Sequence, residues 1–196
     1  LAAVLALSAV AASALTHVGD AALVGTTFEE GSWLMVVFAG ALAAMGAVAY
    51  WGPKWWGREM PNKALLPLAL LAFVGAELAA LPLLIAGFAD QPGAVLAAVQ
   101  PGSDAVVNFD YAGSPSLWNT VSSVGLVLVV LVVLAFTVLA VRSFQKGAVA
   151  SSDPWEGQTL EWAAASPAPT DNFSAAPIVS SPEPILDLRV ADRSSR

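Results

Sequence analysis

The sequence predicts an all-α fold: a transmembrane helix bundle of about four spans, the first read as the end of a longer helix, followed by a disordered cytoplasmic tail. Three observations predict it. The 196 residues are 57% hydrophobic and 12% charged, with a mean hydropathy of +0.71, whereas a soluble domain is about half apolar and about a quarter charged. The apolar excess is gathered into long uncharged blocks, as expected of a chain dissolved in lipid. With alternating spans, the eight lysines and arginines all fall on one aqueous side.

The predicted transmembrane region covers residues 1–146, with spans at about 1–16, 31–52, 64–88 and 117–141; residues 147–196 form a Pro/Ser-rich tail. The first segment, Leu1 to Leu15, is apolar and runs into Thr16 and His17. A signal peptide has a similarly short apolar core, but it carries basic residues ahead of that core. The preferred reading is the end of a transmembrane helix that starts upstream.

The second segment has Trp33 at its start and Tyr50, Trp51, Trp55 and Trp56 at its end. Aromatic rings favour the headgroup zone and so mark both edges of a span. Its interior is rich in small residues, and Gly40 and Gly46 permit close helix contact. The third segment holds Pro67 near its start and Pro82 deep inside, where a kink or a broken backbone hydrogen bond is expected. Glu77 is the only charged-type residue within any of the four spans. The fourth segment is almost purely Val and Leu from Val124 to Leu134, which suits a lipid-facing position at the bundle edge.

Lys54, Arg58 and Lys63 follow the second span, Arg142 and Lys146 follow the fourth, and Arg189, Arg193 and Arg196 lie in the tail. The loops with Asp20, Glu29 and Glu30, and with Asp90, Asp104 and Asp110, fall on the other side. The positive-inside rule therefore puts the tail in the cytoplasm. Prolines 167, 169, 177, 182 and 184 and the polar composition after Gly147 predict an extended tail that cannot bury enough apolar surface to order itself. The long loop from Asp90 to Ser116 is expected to form a partly ordered external cap.

These features exclude several chemistries. No basic stripe is present and the net charge is −7, so nucleic acid is not an expected partner. The absence of cysteine rules out disulfides and thiolate metal sites, and a single histidine, His17, rules out a multi-histidine metal site within this chain. No phosphate-binding loop, nucleophile elbow or zinc pattern occurs. Membrane lipid is the first expected partner.

Four pieces of sequence together resemble subunit I of the haem–copper oxidases, the cytochrome c oxidase family. They are Tyr50-Trp51-Gly52-Pro53-Lys54-Trp55-Trp56-Gly57-Arg58; Phe73-Val74-Gly75-Ala76-Glu77-Leu78 with Leu81-Pro82 and Gly87; Trp118-Asn119-Thr120-Val121-Ser122-Ser123-Val124-Gly125; and Asp153-Pro154-Trp155 with Thr159-Leu160-Glu161-Trp162, Ser166-Pro167, Pro169 and Asn172-Phe173. They resemble, in order, the loop after that family's tenth helix, its eleventh helix, the start of its twelfth helix and its cytoplasmic tail. The resemblance covers about Gly31 to Phe173. It implies the C-terminal part of an oxidase subunit I-like protein, in a bacterial plasma membrane and alongside other subunits of an aerobic respiratory complex.

The stretch that corresponds to the family's iron-ligating His-Phe-His is here Glu30-Gly31-Ser32-Trp33-Leu34, in which neither glycine nor tryptophan ligates iron as imidazole does, and its eleventh-helix asparagine corresponds to Glu77. The resemblance therefore implies haem and copper in the parent family but no catalytic residue, no metal ligand and no cofactor-binding residue on this chain alone. Two alternatives stay open: a haem-less pseudoenzyme acting as a structural or assembly subunit, and an unrelated small helical transporter or scaffold.

Glu77 is the proton-path candidate, because a carboxyl in hydrocarbon is costly and functional by default. Its bland reading is a carboxyl hydrogen-bonded to a Ser or Thr of a neighbouring helix. His17 is read as a loop residue rather than a ligand, Glu29 and Glu30 as helix-start residues favoured by the dipole, and the tryptophans at the end of the second span as an interfacial belt.

Overall fold

The computed structural model describes residues 1–18, 23–93, 115–173, 181–187 and 190. The expected external cap around Asp104 and Asp110, Asp20 in the first loop and the tail arginines Arg189, Arg193 and Arg196 lie outside these residues. Four helices carry the described chain: α1 (Ala2–Leu15), α2 (Thr27–Trp56), α3 (Asn62–Phe88) and α4 (Pro115–Lys146). Two short strands, β1 (Arg58–Glu59) and β2 (Ala148–Val149), pair antiparallel, Arg58 opposite Val149 and Glu59 opposite Ala148.

Three helices, α2, α3 and α4 from Ser116 on, are long and apolar enough to cross a membrane. The fold is thus an all-α membrane helix bundle. At 1.5 Å per residue, α1 rises only about 21 Å, short of a hydrocarbon core of about 30 Å. Each long helix outruns its predicted span. α2 starts four residues earlier than the apolar run and continues through Pro53, and α4 continues through Arg142 to Lys146. Helical hydrogen bonding does not stop where the hydrocarbon stops, so hydropathy marks the buried length and not the helix.

The chain divides into two compact units, Leu1–Ala44 with Leu66–Ala135, and Met45–Leu65 with Phe136–Arg196. In the first, the buried residues of α3 are mostly small: Ala72, Gly75, Ala76, Ala79, Ala80, Ala86 and Gly87, with Pro82 and Leu83. Small residues let backbones approach, which is the main source of helix association in lipid. A Cβ on Gly125 of α4 would overlap the Ala79 backbone nitrogen and lie 2.5 Å from the Leu78 carbonyl carbon. A Cβ on Gly87 would lie 2.5 Å from the Cβ of Phe28.

Gly40 and Gly46, the glycines expected to make close contacts, have nothing within 4 Å of an added Cβ. The close approaches sit instead at Gly31, Gly75, Gly87 and Gly125, where a second helix crosses. On α4, Ser122, Gly125, Val129, Val132 and Phe136 are buried at alternating three- and four-residue spacing, while Val124, Val127, Val130, Leu131 and Leu134 are exposed. The apolar residues of that second face are the expected lipid surface.

Pro82 is buried and α3 continues through it. Its ring removes one ladder hydrogen bond. Hydroxyls from the neighbouring helices reach the carbonyls around it: Ser122 Oγ donates to the Ala79 carbonyl at 2.7 Å and Thr27 Oγ1 donates to the Leu83 carbonyl at 3.0 Å. Both hydroxyls tie neighbouring helices to the stretch of α3 around the proline.

Candidate functional site

Glu77 lies in α3, half-buried, within the first unit. Its neighbours in sequence alternate between the packed face (Ala76, Ala79, Ala80) and the outer face (Val74, Leu78). Among the described residues it makes no hydrogen bond and no ion pair. The hydroxyls nearest in role, Ser122 and Thr27, are committed to backbone carbonyls. The carboxyl is therefore placed at membrane depth without a partner among those residues.

The other sequence candidates do not join it. His17 ends the first apolar segment, with Nδ1 at 2.7 Å from Thr16 Oγ1 and 3.1 Å from the Ser13 carbonyl. It lines a cavity of about 270 Å³ with Ser13, Glu29, Ser32 and Trp33. Glu29 and Glu30 stand in the first turn of α2, and Glu29 Oε2 accepts a hydrogen bond from the Gly25 N–H at 2.9 Å. The two carboxylates stand at the positive end of the helix dipole. No group of three or more His, Cys, Asp or Glu residues that could hold a metal occurs among the described residues.

In the second unit, residues expected in a tail or an interfacial belt form one specific arrangement. Trp162 is 1% exposed. It stacks on Trp51 (5.6 Å between ring centroids, 17° between planes) and meets Tyr50 edge-on at 5.0 Å. Trp155 Nε1 donates to the Tyr50 carbonyl at 2.9 Å, and the Ala168 N–H donates to the Lys54 carbonyl at 3.0 Å. The last carbonyls of a helix have no intrahelical donor, and the segment after β2 supplies donors to this end of α2.

Lys54 is the hub of that arrangement. Its Nζ donates to the Ser152 carbonyl at 2.7 Å and to the Ala164 carbonyl, and sits 5.3 Å from the Trp162 ring centroid. The side chain is buried, which is rare for a lysine unless its charge is satisfied. Gly57, at φ +71°, turns the chain off α2, and a Cβ there would meet Pro167. A signal for this contact existed in the sequence: two tryptophans, seven residues apart, inside an otherwise polar stretch.

No protein-family model matches the chain. Its sequence is similar to cytochrome c oxidase subunit 1 of Synechocystis sp., at 30% identity over 165 residues, covering 83% of this chain and 26% of the relative. Cytochrome c oxidase subunit 1 of Thermostichus vulcanus is 27% identical over 145 residues, covering 74% of this chain and 24% of the relative. Ubiquinol oxidase subunit 1 of Acetobacter aceti is 31% identical over 148 residues, covering 73% and 20%. The chain thus spans about a quarter of the length of the first two relatives.

Haem, which the resemblance implies for the parent family, does not fit α2 as this chain builds it. Neither glycine nor tryptophan presents an atom that ligates iron as imidazole does. A Cβ on Gly31 would lie 2.8 Å from the Ala80 carbonyl oxygen and 2.9 Å from Leu84 Cδ2, so α3 fills the space a ligand side chain needs. Trp33 is 69% exposed on another side of the helix. The chain is a helical membrane protein similar over most of its length to subunit 1 of the cytochrome c oxidases.

Proposed function

We propose that this chain is the C-terminal part of a cytochrome c oxidase subunit 1-like protein of an aerobic respiratory chain, whose parent complex passes electrons to oxygen and moves protons. Within that complex the chain supplies membrane helices and the carboxyl of Glu77. It supplies no iron or copper ligand. The observation that carries the reading is the similarity to subunit 1 relatives over about three quarters or more of the chain. The packed α2–α3 contact at Gly31 favours a second reading, a haem-less subunit with a structural or assembly role. Other subunits of a respiratory complex are the protein partners in both.

Glu77 is proposed as a proton-path residue. A carboxyl without a partner among the described residues, at membrane depth, is free to exchange a proton with a group or a water chain supplied by the rest of a complex. Glu77→Gln keeps the shape and removes the exchangeable acid. Proton uptake coupled to turnover in the assembled complex is expected to fall roughly a hundredfold, within the range of positioned acid–base groups. Unchanged proton uptake would reject the role.

The proposed location is a bacterial plasma membrane with the tail in the cytoplasm, supported by the one-sided basic residues. The chain has no cysteine, so single introduced cysteines report cleanly. Lys63→Cys and Gln145→Cys should react with an impermeant maleimide only from the cytoplasmic side, and Asp90→Cys only from the opposite side. Labelling of the first two from opposite sides would overturn the topology.

A further inference from the structure

At the far end of α4 the second unit holds a cavity of about 350 Å³ whose lining changes character along the helix. Leu139 and Met60 give it an apolar wall, and Arg142 and Lys146 give it a cationic rim. The spacing 139, 142, 146 places these three side chains on one face of α4. From Pro115 through Val141 the helix carries no charge. That length rises about 40 Å, more than the hydrocarbon thickness, so Arg142 stands at the exit from the hydrocarbon.

Neither the Arg142 nor the Lys146 side chain makes a hydrogen bond or an ion pair among the described residues. Arg58, the other nearby cation, is committed: its Nη1 donates to the Gly147 carbonyl at 2.8 Å. The wall opposite α4 is fixed by the β1–β2 pairing and by Ser143 Oγ, which donates to the Glu59 carbonyl at 2.9 Å. Glu59 also lines the cavity, so two cations face one carboxylate. The start of α3 at Asn62, with Pro61 before it, opens on the same space, and its dipole adds to the positive field.

We propose that this cavity seats one anionic phospholipid, its phosphate between Arg142 and Lys146 and its acyl chains along Leu139. From Arg142 at the hydrocarbon edge to Lys146 is four residues, a rise of about 6 Å, which matches a headgroup layer of about 5–8 Å, while Leu139 lies one turn back in the hydrocarbon. A zwitterionic lipid gains less there, because its own cation repels the rim. Basic pockets between membrane helices recognise anionic headgroups through the same chemistry.

The test is native mass spectrometry of the full chain released from detergent, titrated with phosphatidylglycerol or phosphatidylcholine of matched acyl chains. One phosphatidylglycerol should be retained per chain in preference to phosphatidylcholine. Each of Arg142→Gln and Lys146→Gln should weaken it about fivefold and the double variant roughly twenty-five-fold, at about one surface cation's contribution each. Lys146→Arg should retain binding, which separates loss of the site from loss of the fold. Lys63→Gln, a cation outside the cavity lining, should change nothing. Equal retention of the two lipids, an equal loss in Lys63→Gln, or displacement by millimolar inorganic phosphate would each overturn the proposal, the last by identifying a site for free anions.

Discussion

Replacing Gly125 by leucine is expected to cost the helix bundle about 3 kcal/mol, at the upper end of overpacking penalties. The physical reason is that the obstacle is backbone. An added Cβ would overlap the Ala79 nitrogen and crowd the Leu78 carbonyl carbon and the Gly75 carbonyl oxygen. Backbone cannot rotate away as a side chain can, so α4 must move off α3. That movement also pulls Ser122 from the Ala79 carbonyl, which it meets at 2.7 Å. The check is thermal unfolding of the chain in detergent, with Gly40→Leu as the matched control. Gly40 has open space around it, so its variant should unfold near the parent. If both variants unfold together, the α3–α4 contact is not the one described.

The second large effect is expected at the other compact unit. Trp162→Ala removes the largest fully buried side chain among the described residues, which stacks on Trp51 and meets Tyr50. Truncating a buried tryptophan costs about 3–5 kcal/mol. The lower value is expected here, because the indole Nε1 is buried without a hydrogen-bond partner and its desolvation already lowers the gain. Two amides report the loss directly: Ala150 N–H, bonded to the Gly57 carbonyl, and Ala168 N–H, bonded to the Lys54 carbonyl. Their hydrogen-exchange protection should drop roughly a hundredfold, the factor that about 3 kcal/mol implies. Protection unchanged in Trp162→Ala would show that the segment after β2 is held by something else.

What the sequence made legible follows from which forces leave a mark on composition. Lipid solvation does: the apolar blocks located α2, α3 and α4, with α3 read as 64–88 against Asn62–Phe88. Helix ends do not, because backbone hydrogen bonding continues into water, as in the turns of α4 that carry Arg142 and Lys146. Packing leaves an ambiguous mark. Glycine permits a close approach without requiring one, so Gly40 and Gly46 looked equivalent to Gly125 until the crossing helix was placed.

The tail shows the limit of averaging. Residues 147–196 are polar and proline-rich as a whole, yet Trp155, Trp162 and the partners of Lys54 dock on the end of α2. An average over fifty residues hides a contact made by a handful of them. At the candidate site, Glu77 was legible because a lone carboxyl in an apolar block stands out. The Lys54 arrangement was not, because its donors and acceptors are mostly backbone groups, which every residue carries.

The proposal that this chain holds no haem of its own rests on Gly31 of α2, where an added Cβ would meet Ala80 and Leu84 of α3. The most direct measurement is the haem content of the full chain, purified in mild detergent from haem-replete cells and read as the reduced-minus-oxidised absorption spectrum with a pyridine haemochrome assay. The packing of Gly31 on Ala80 and Leu84 predicts a chain free of bound haem. Haem present one-to-one with the chain, with the spectrum of an axially ligated iron, would contradict it.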